Sequence, residues 1–291
     1  MKLIESKENS EGETGMSDMV FRLGKRKYRV DSDWAEDAAQ YIKNVSAVLY
    51  NDGHIYVLQR SDPFMLVFTT DGELVGRWHD ETVTDGHYLE VGPDGEVYVV
   101  ERDRHRILVF NKQGELLHTM GGGTEPGDVG EPFNHPSDIS FFKDGDIFVA
   151  DGYGNAHVHH FNGTGKLLNT WGGLGTEAGR FMTPHAILVD QKERVLVTDR
   201  ENNRVQIFIR DGTYLKELNN VFHPMDICED DEGFIYVTDQ VPSLHVFNTE
   251  DEFIGRCRTL GTFGHGITVD SRGDIYIAEM LPDGLTKLTG L

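Results

Sequence analysis

Two cysteines stand in a chain of 291 residues, too few for a disulfide framework and compatible with a reducing compartment. Positive charge is also scarce: 27 Lys and Arg face 49 Asp and Glu, for a formal net charge of −22. A surface that grips phosphate backbones needs the opposite balance, so no nucleic-acid partner is expected, and the same charge opposes adsorption on anionic membranes. No apolar run approaches the roughly 18 residues of a membrane-crossing helix. Residues 1–18 contain no aromatic side chain, and they lack the basic start and apolar stretch of a secretory signal. Residues 1–15 are expected to be an expression tag or disordered tail, residues 16–291 a single domain, and the compartment the cytoplasm. No Gly-x-Ser-x-Gly nucleophile elbow occurs. The glycine-rich segments 119–127 and 171–175 are followed by no helix that could present its N-terminus to phosphate, so they are expected to be connecting loops.

What is abundant is glycine, at 33 residues, and it is periodic. Tight-turn signals at Asn51-Asp-Gly53, Pro93-Asp-Gly95, Lys143-Asp-Gly145, Gln191-Lys-Glu193, Asp231-Glu-Gly233 and Ser271-Arg-Gly273 each precede a short β-type run that ends near an acidic residue. Pairs such as Asp-Gly between alternating runs mark hairpins, because the turn needs positive φ. Further strands end at Phe68, Phe110, Phe161, Phe208 and Phe247. Gly53 to Gly273 spans five periods of 44 residues, the length of a four-stranded propeller blade. The chain ends before the sixth blade is complete. Val20–Leu23 or the stretch 27–30 is expected to supply the missing outer strand and close the ring. The expectation is an all-β, six-bladed β-propeller.

The repeat serves as a coordinate system. Eleven residues before the second-strand positions Tyr56, Tyr98, Phe148, Leu196, Tyr236 and Tyr276 stand Val45, His87, Ser137, His185, Met225 and His265. Histidine falls on alternate blades, which a six-fold ring relates by rotations of about 120°. The position opens the innermost strand, so three imidazoles are expected to converge at one mouth of the central channel. Three neutral imidazoles with one open position form the catalytic type of zinc site; the competing reading is three hydrogen-bonded core histidines. The loop after the second strand lies on the same face and carries Arg60, Arg102, Gly152, Arg200, Gln240 and Met280, with Tyr153 between two glycines. Arg102 and Arg204 are expected to pair with nearby acids such as Glu101, Asp103 and Glu201. For Arg60, Tyr153 and Arg200 the repeat alone leaves structural pairing and function equally open. A histidine- and arginine-rich mouth on an acidic protein points to a small anionic substrate such as a carboxylate.

His157, His159 and His160 lie on a third strand and are expected to be strand surface, not a metal cluster. His135-Pro136 and His223-Pro224 are expected to close turns. Cys228 and Cys257 fall on the first and last strands of blade five, too far apart for a disulfide.

Three segments resemble the peptidyl-α-hydroxyglycine α-amidating lyases, within the wider NHL-repeat propellers. They are Asp151-Gly-Tyr-Gly-Asn155, Thr183-Pro-His-Ala186 with Asp199-Arg-Glu-Asn-Asn-Arg204, and Gly264-His-Gly-Ile267. Weaker similarity covers Gln59-Arg-Ser-Asp62 and Gly86-His-Tyr-Leu89. The resemblance implies Zn2+, or another divalent transition metal, held by His87, His185 and His265. It also implies Tyr153 as catalytic base and Arg60 and Arg200 around the substrate. The implied reaction cleaves the C–N bond of an α-hydroxyglycine to an amide and glyoxylate. Gly266 stands where that family has an aspartate of its channel Ca2+ site, which puts calcium in doubt, and Gly154 replaces a cysteine. The substrate is expected to be a small carbinolamide or hydroxy-acid carboxylate rather than a peptide. Two other readings stay open: a hydrolase using the same three histidines and metal to activate water, and a non-catalytic NHL binding scaffold.

Overall fold

The computed structural model describes residues 19–31 and 33–291; the tail expected at 1–15 lies outside them. Six antiparallel sheets follow one another along the chain. Five have four strands in sequential order. In the sixth, the strands Gly264–Val269, Ile275–Met280 and Asp283–Gly290 are completed by Arg26–Asp31, with Val20–Leu23 as a fifth, outermost strand. Val30 pairs with Leu288 and Tyr28 with Gly290, so the expected closure by the N-terminus is present and uses both candidate segments. The sixth blade's last C-terminal strand is eight residues long.

Each strand's side chains alternate between its two neighbouring blades. The core is accordingly divided into six apolar clusters, one between each consecutive pair of blades. Between blades one and two, for example, Leu58, Phe64, Met65 and Trp78 meet Tyr88, Val99, Leu108 and Phe110. Between blades six and one, Tyr276 and Ala278 meet Val48, Ile55, Val57 and Phe68.

The inner strands are Val45–Asn51, Gly86–Val91, Asp138–Phe141, Pro184–Val189, Pro224–Glu229 and Gly264–Val269. Their first residues surround one mouth of the channel. The acid that ends most second strands ties the mouth loops down. Glu101 accepts the amide of Thr84 (2.6 Å), Asp151 that of Asn134 (2.8 Å), Asp199 that of Met182 (2.7 Å) and Asp239 that of Phe222 (3.1 Å). A buried acceptor at this position satisfies backbone donors that leave the sheet ladder. His135 (φ 61°) and His223 (φ 48°) do turn the chain into their inner strands. No helix among the described residues is long and apolar enough to cross a membrane.

Blade one corrects the histidine column. Leu49 pairs with Tyr56, seven positions on, whereas Glu90 pairs with Tyr98, eight positions on. The first hairpin turns through Asp52 and Gly53 alone (φ 47° and 79°), one residue tighter than the others. Counting eleven back from Tyr56 therefore overshoots, and the ring position in blade one is Ser46 rather than Val45.

Candidate metal centre at the channel mouth

His87, His185 and His265 come together as the sequence spacing predicts. All three are buried, and one ligand nitrogen from each lies within 4.8 Å of the others. Their ring centroids are 5.0, 5.1 and 5.2 Å apart, a nearly equilateral triangle from blades two, four and six.

The blades between them set the tautomers. His87 Nδ1 donates to the carbonyl of Ser137 (2.8 Å), His185 Nδ1 to that of Met225 (2.7 Å) and His265 Nδ1 to that of Ser46 (2.7 Å). A carbonyl can only accept, so each Nδ1 carries the proton and each Nε2 lone pair is left facing the axis. Outer hydrogen bonds of this kind orient metal-ligating histidines.

Burial is the first cause that lowers all three histidines. His87 and His185 are held well below the usual imidazole value; after burial, His87 is pressed by His265, His185 and Arg60, and His185 by His265, Arg200 and Arg102. His265 is pushed down to about 3 by burial and by Arg60, Arg200 and Arg102. Neutral imidazoles with buried, convergent lone pairs are the donor set that Zn2+ or a similar divalent transition metal takes.

Tyr153 closes the site from above. Its hydroxyl lies 2.8 Å from His185 Nε2 and 3.1 Å from His87 Nε2, and Arg200 Nη1 donates to it at 3.2 Å. The flanking glycines have a steric reason. A Cβ on Gly152 would lie 1.8 Å from the carbonyl oxygen of Pro184, and one on Gly154 would lie 2.0 Å from Asn134 Oδ1. Only glycine lets this loop press Tyr153 against the histidines.

Arg60, Arg102 and Arg200 all reach the mouth. Arg200 also pairs with Glu201 (2.8 Å), and Arg60 with Asp85 (3.1 Å). Arg102 pairs with Asp103 as expected, and with Asp85 as well. It does more than the expectation allowed, because its guanidinium lies 5.3 Å from the Tyr153 ring centre, as that of Arg200 does at 5.2 Å. Its place in the same repeat column as Arg60 and Arg200 was the available signal. Arg204 is structural: its partners are Asp199 (2.8 Å) and Glu217 (3.1 Å) rather than Glu201.

The histidine run of blade three differs from the expected exposed strand surface. His159 and His160 are buried and paired with Asp151 (3.2 Å) and Asp146 (2.6 Å). The strand is covered on both faces by neighbouring elements, so acids rather than water satisfy its histidines. Cys228 and Cys257 are both free thiols.

Tyr88 packs against all three histidines. Tyr88 is buried, stacks on His265 with ring centres 5.1 Å apart, and donates its hydroxyl toward the carbonyls of His265 and Met225. Gly266 brings no ligand to this space: a Cβ there would lie 2.8 Å from Ala47 Cα and 3.0 Å from Val48 N.

The NHL repeat model matches residues 133–161 and 181–208, within blades three and four. The propeller carries NHL repeats. Over nearly the whole ring this propeller is similar to NHL repeat-containing protein 3 of Homo sapiens, 27% identical over 89% of this chain and 83% of that protein. Peptidyl-alpha-hydroxyglycine alpha-amidating lyase 1 of Drosophila melanogaster is 35% identical over 112 residues, which are 35% of this chain and only 20% of the lyase. Among solved structures, a gluconolactonase from Xanthomonas campestris superposes with a TM-score of 0.70 at 16% identity, covering 93% of this chain and 91% of the other. At that identity the likeness shows the fold alone. The propeller thus has lyases among its partial relatives, while a relative similar over nearly all of it is named for its repeats.

Proposed function

We propose that this propeller is a metal-dependent lyase acting on a small α-hydroxyglycine-type carboxylate, R–CO–NH–CH(OH)–COO−, at the channel mouth. The observation that carries the reading is the juxtaposition of three proton-free Nε2 atoms with the Tyr153 hydroxyl, 2.8 and 3.1 Å from two of them. Partial similarity to amidating lyases supports it. His87, His185 and His265 would hold Zn2+ or another divalent transition metal, which would supply Lewis acidity toward a substrate oxygen. Arg60 and Arg200 bind the carboxylate and orient the hydroxyl-bearing carbon under Tyr153. The Tyr153 oxygen takes the proton of the substrate hydroxyl as its C–O bond becomes C=O, and passes the proton it carried to the departing nitrogen. The C–N bond breaks with its electron pair passing to nitrogen, and the nitrogen takes up a proton. The products are R–CO–NH2 and glyoxylate. One proton moves from oxygen to nitrogen overall, and no oxidant or second substrate is consumed. The partner is a small anion rather than a nucleic acid or a membrane, in keeping with the net charge of −22, and two free thiols fit a reducing cytoplasm.

The test is glyoxylate release from α-hydroxyhippurate by zinc-loaded protein. Release should vanish in His185→Ala together with the metal, and in Tyr153→Phe with the metal retained. Stoichiometric zinc with no glyoxylate would replace the lyase with the hydrolytic use of the same ion. Failure of carefully prepared protein to take up any metal would leave the scaffold reading.

A further inference from the structure

Asp85 has no role in the reaction above, yet it links two of the three arginines at the mouth. It stands two residues before His87, and its side chain is 14% exposed. Oδ1 lies 3.1 Å from Arg60 Nε, and Oδ2 lies 3.1 Å from Arg102 Nη2. Arg60 Nε also donates to the carbonyl of Gly86 at 3.3 Å. Arg60 is thus held by one edge, and neither of its terminal nitrogens donates to a protein acceptor among the described residues. Arg102 is contested: Asp103, 57% exposed, takes its Nε and Nη2 at 2.8 and 3.2 Å.

The formal charges around Tyr153 decide what this linkage does. Arg60, Arg102 and Arg200 are each paired with an acid: Asp85, Asp103 or Glu201. The arginine–acid cluster itself has no net positive charge, so apart from an ion held by the histidines it is no simple electrostatic well for anions. A carboxylate gains from it only through a guanidinium whose donors are aimed and otherwise unused, since bidentate recognition depends on the planar fork being held in place.

We propose that Asp85 is the positioning residue of a carboxylate subsite whose receiving group is the pair of terminal nitrogens of Arg60. Asp85 fixes Arg60 by its Nε edge and keeps Arg102 over the Tyr153 ring instead of leaving it to Asp103. The inference rests on the carboxylate-substrate reading above and adds to it which arginine edge receives the anion. The ligand class is a compact monocarboxylate, such as an N-acylglycine or glyoxylate.

Calorimetric titration of hippurate and of its neutral methyl ester tests this without turnover. Wild-type protein should bind hippurate, and Arg60→Ala should lose that binding. Asp85→Ala should weaken it by about tenfold or more, the scale of one charge-assisted hydrogen-bond network. Asp85→Asn should fall between, because its side-chain carbonyl still accepts from Arg60 Nε. Ester binding and zinc stoichiometry should not change in either Asp85 variant, which a general loss of structure would not allow. Unchanged or tighter hippurate binding in Asp85→Asn would make Asp85 a competing counter-ion and overturn the inference, even if the alanine variant failed to fold. Hippurate that does not bind to zinc-loaded wild type would instead overturn the carboxylate reading beneath it.

Discussion

Zinc binding to the metal-free protein should release almost no protons at pH 6. The perturbation is a titration of zinc at fixed pH in two buffers of different ionisation enthalpy, which yields the number of protons released per ion. Three ordinary imidazoles with pKa about 6.5 would each be roughly three-quarters protonated at pH 6.0, so about two protons would leave with each ion bound. Here burial and three arginines have already removed them. His265, held at about 3, carries a proton about one time in a thousand at that pH, and His87 and His185 lie well below the ordinary value. The same shifts have a stability consequence with a definite sign. The folded pKa is depressed, so below pH 6.5 the unfolded chain binds more protons than the folded one. The stability is intact above about 6.5 and is lost as pH falls toward 3. His265 alone contributes a loss of about 1.4 kcal/mol per pH unit over that window, or about 5 kcal/mol in all. Two protons released per zinc at pH 6 would refute the reasoning, because the imidazoles would then be solvated and charged before the metal arrives.

Two further outcomes follow from the packing. Gly266→Ala places a methyl 2.8 Å from backbone of blade one; overpacking of this kind costs about 1–3 kcal/mol, so the melting temperature of a single domain this large should fall by about 2–6 °C. It should also loosen the His265–Ser46 contact and weaken zinc binding; a variant with wild-type melting and zinc affinity would show that blades six and one do not abut there. Burial pushes the Cys257 thiol up to about 12 and raises that of Cys228 well above the ordinary value. Both are only partly covered, so both should alkylate more slowly than a free thiol in the native protein at pH 8, and both should titrate as thiols in denaturant without reductant; a thiol that reacts at the free rate, or one that is missing, would contradict this.

Much of this protein is legible in one dimension, because a propeller repeats its constraints. Periodic turns every 44 residues set the number of blades, and the incomplete last repeat required a strand from the N-terminus. Equivalent positions in a ring become neighbours at its axis, so histidine on alternate blades was enough to predict the triangle. Spacing misleads where a blade departs from the average. The two-residue turn at Asp52 and Gly53 shifted Ser46 out of its column, and with it the carbonyl that orients His265.

The remaining decisions needed the folded chain. The tautomers of the three histidines depend on backbone carbonyls of the next blade, 40 to 219 residues away, and every residue type has a carbonyl, so side-chain pattern carries no trace of them. Arg102 has an acid beside it in sequence, yet in the fold it also pairs with Asp85 of the preceding loop and lies over the Tyr153 ring. His159 and His160 looked like outer strand surface until neighbouring strands and acids covered them. By itself the sequence determined the repeat, the blade count and which residue types meet at the axis, since those follow from spacing. Only the tertiary structure decided which nitrogen faces inward, which arginine edge is unused and which histidines are buried, because each depends on contacts between residues that spacing alone does not relate.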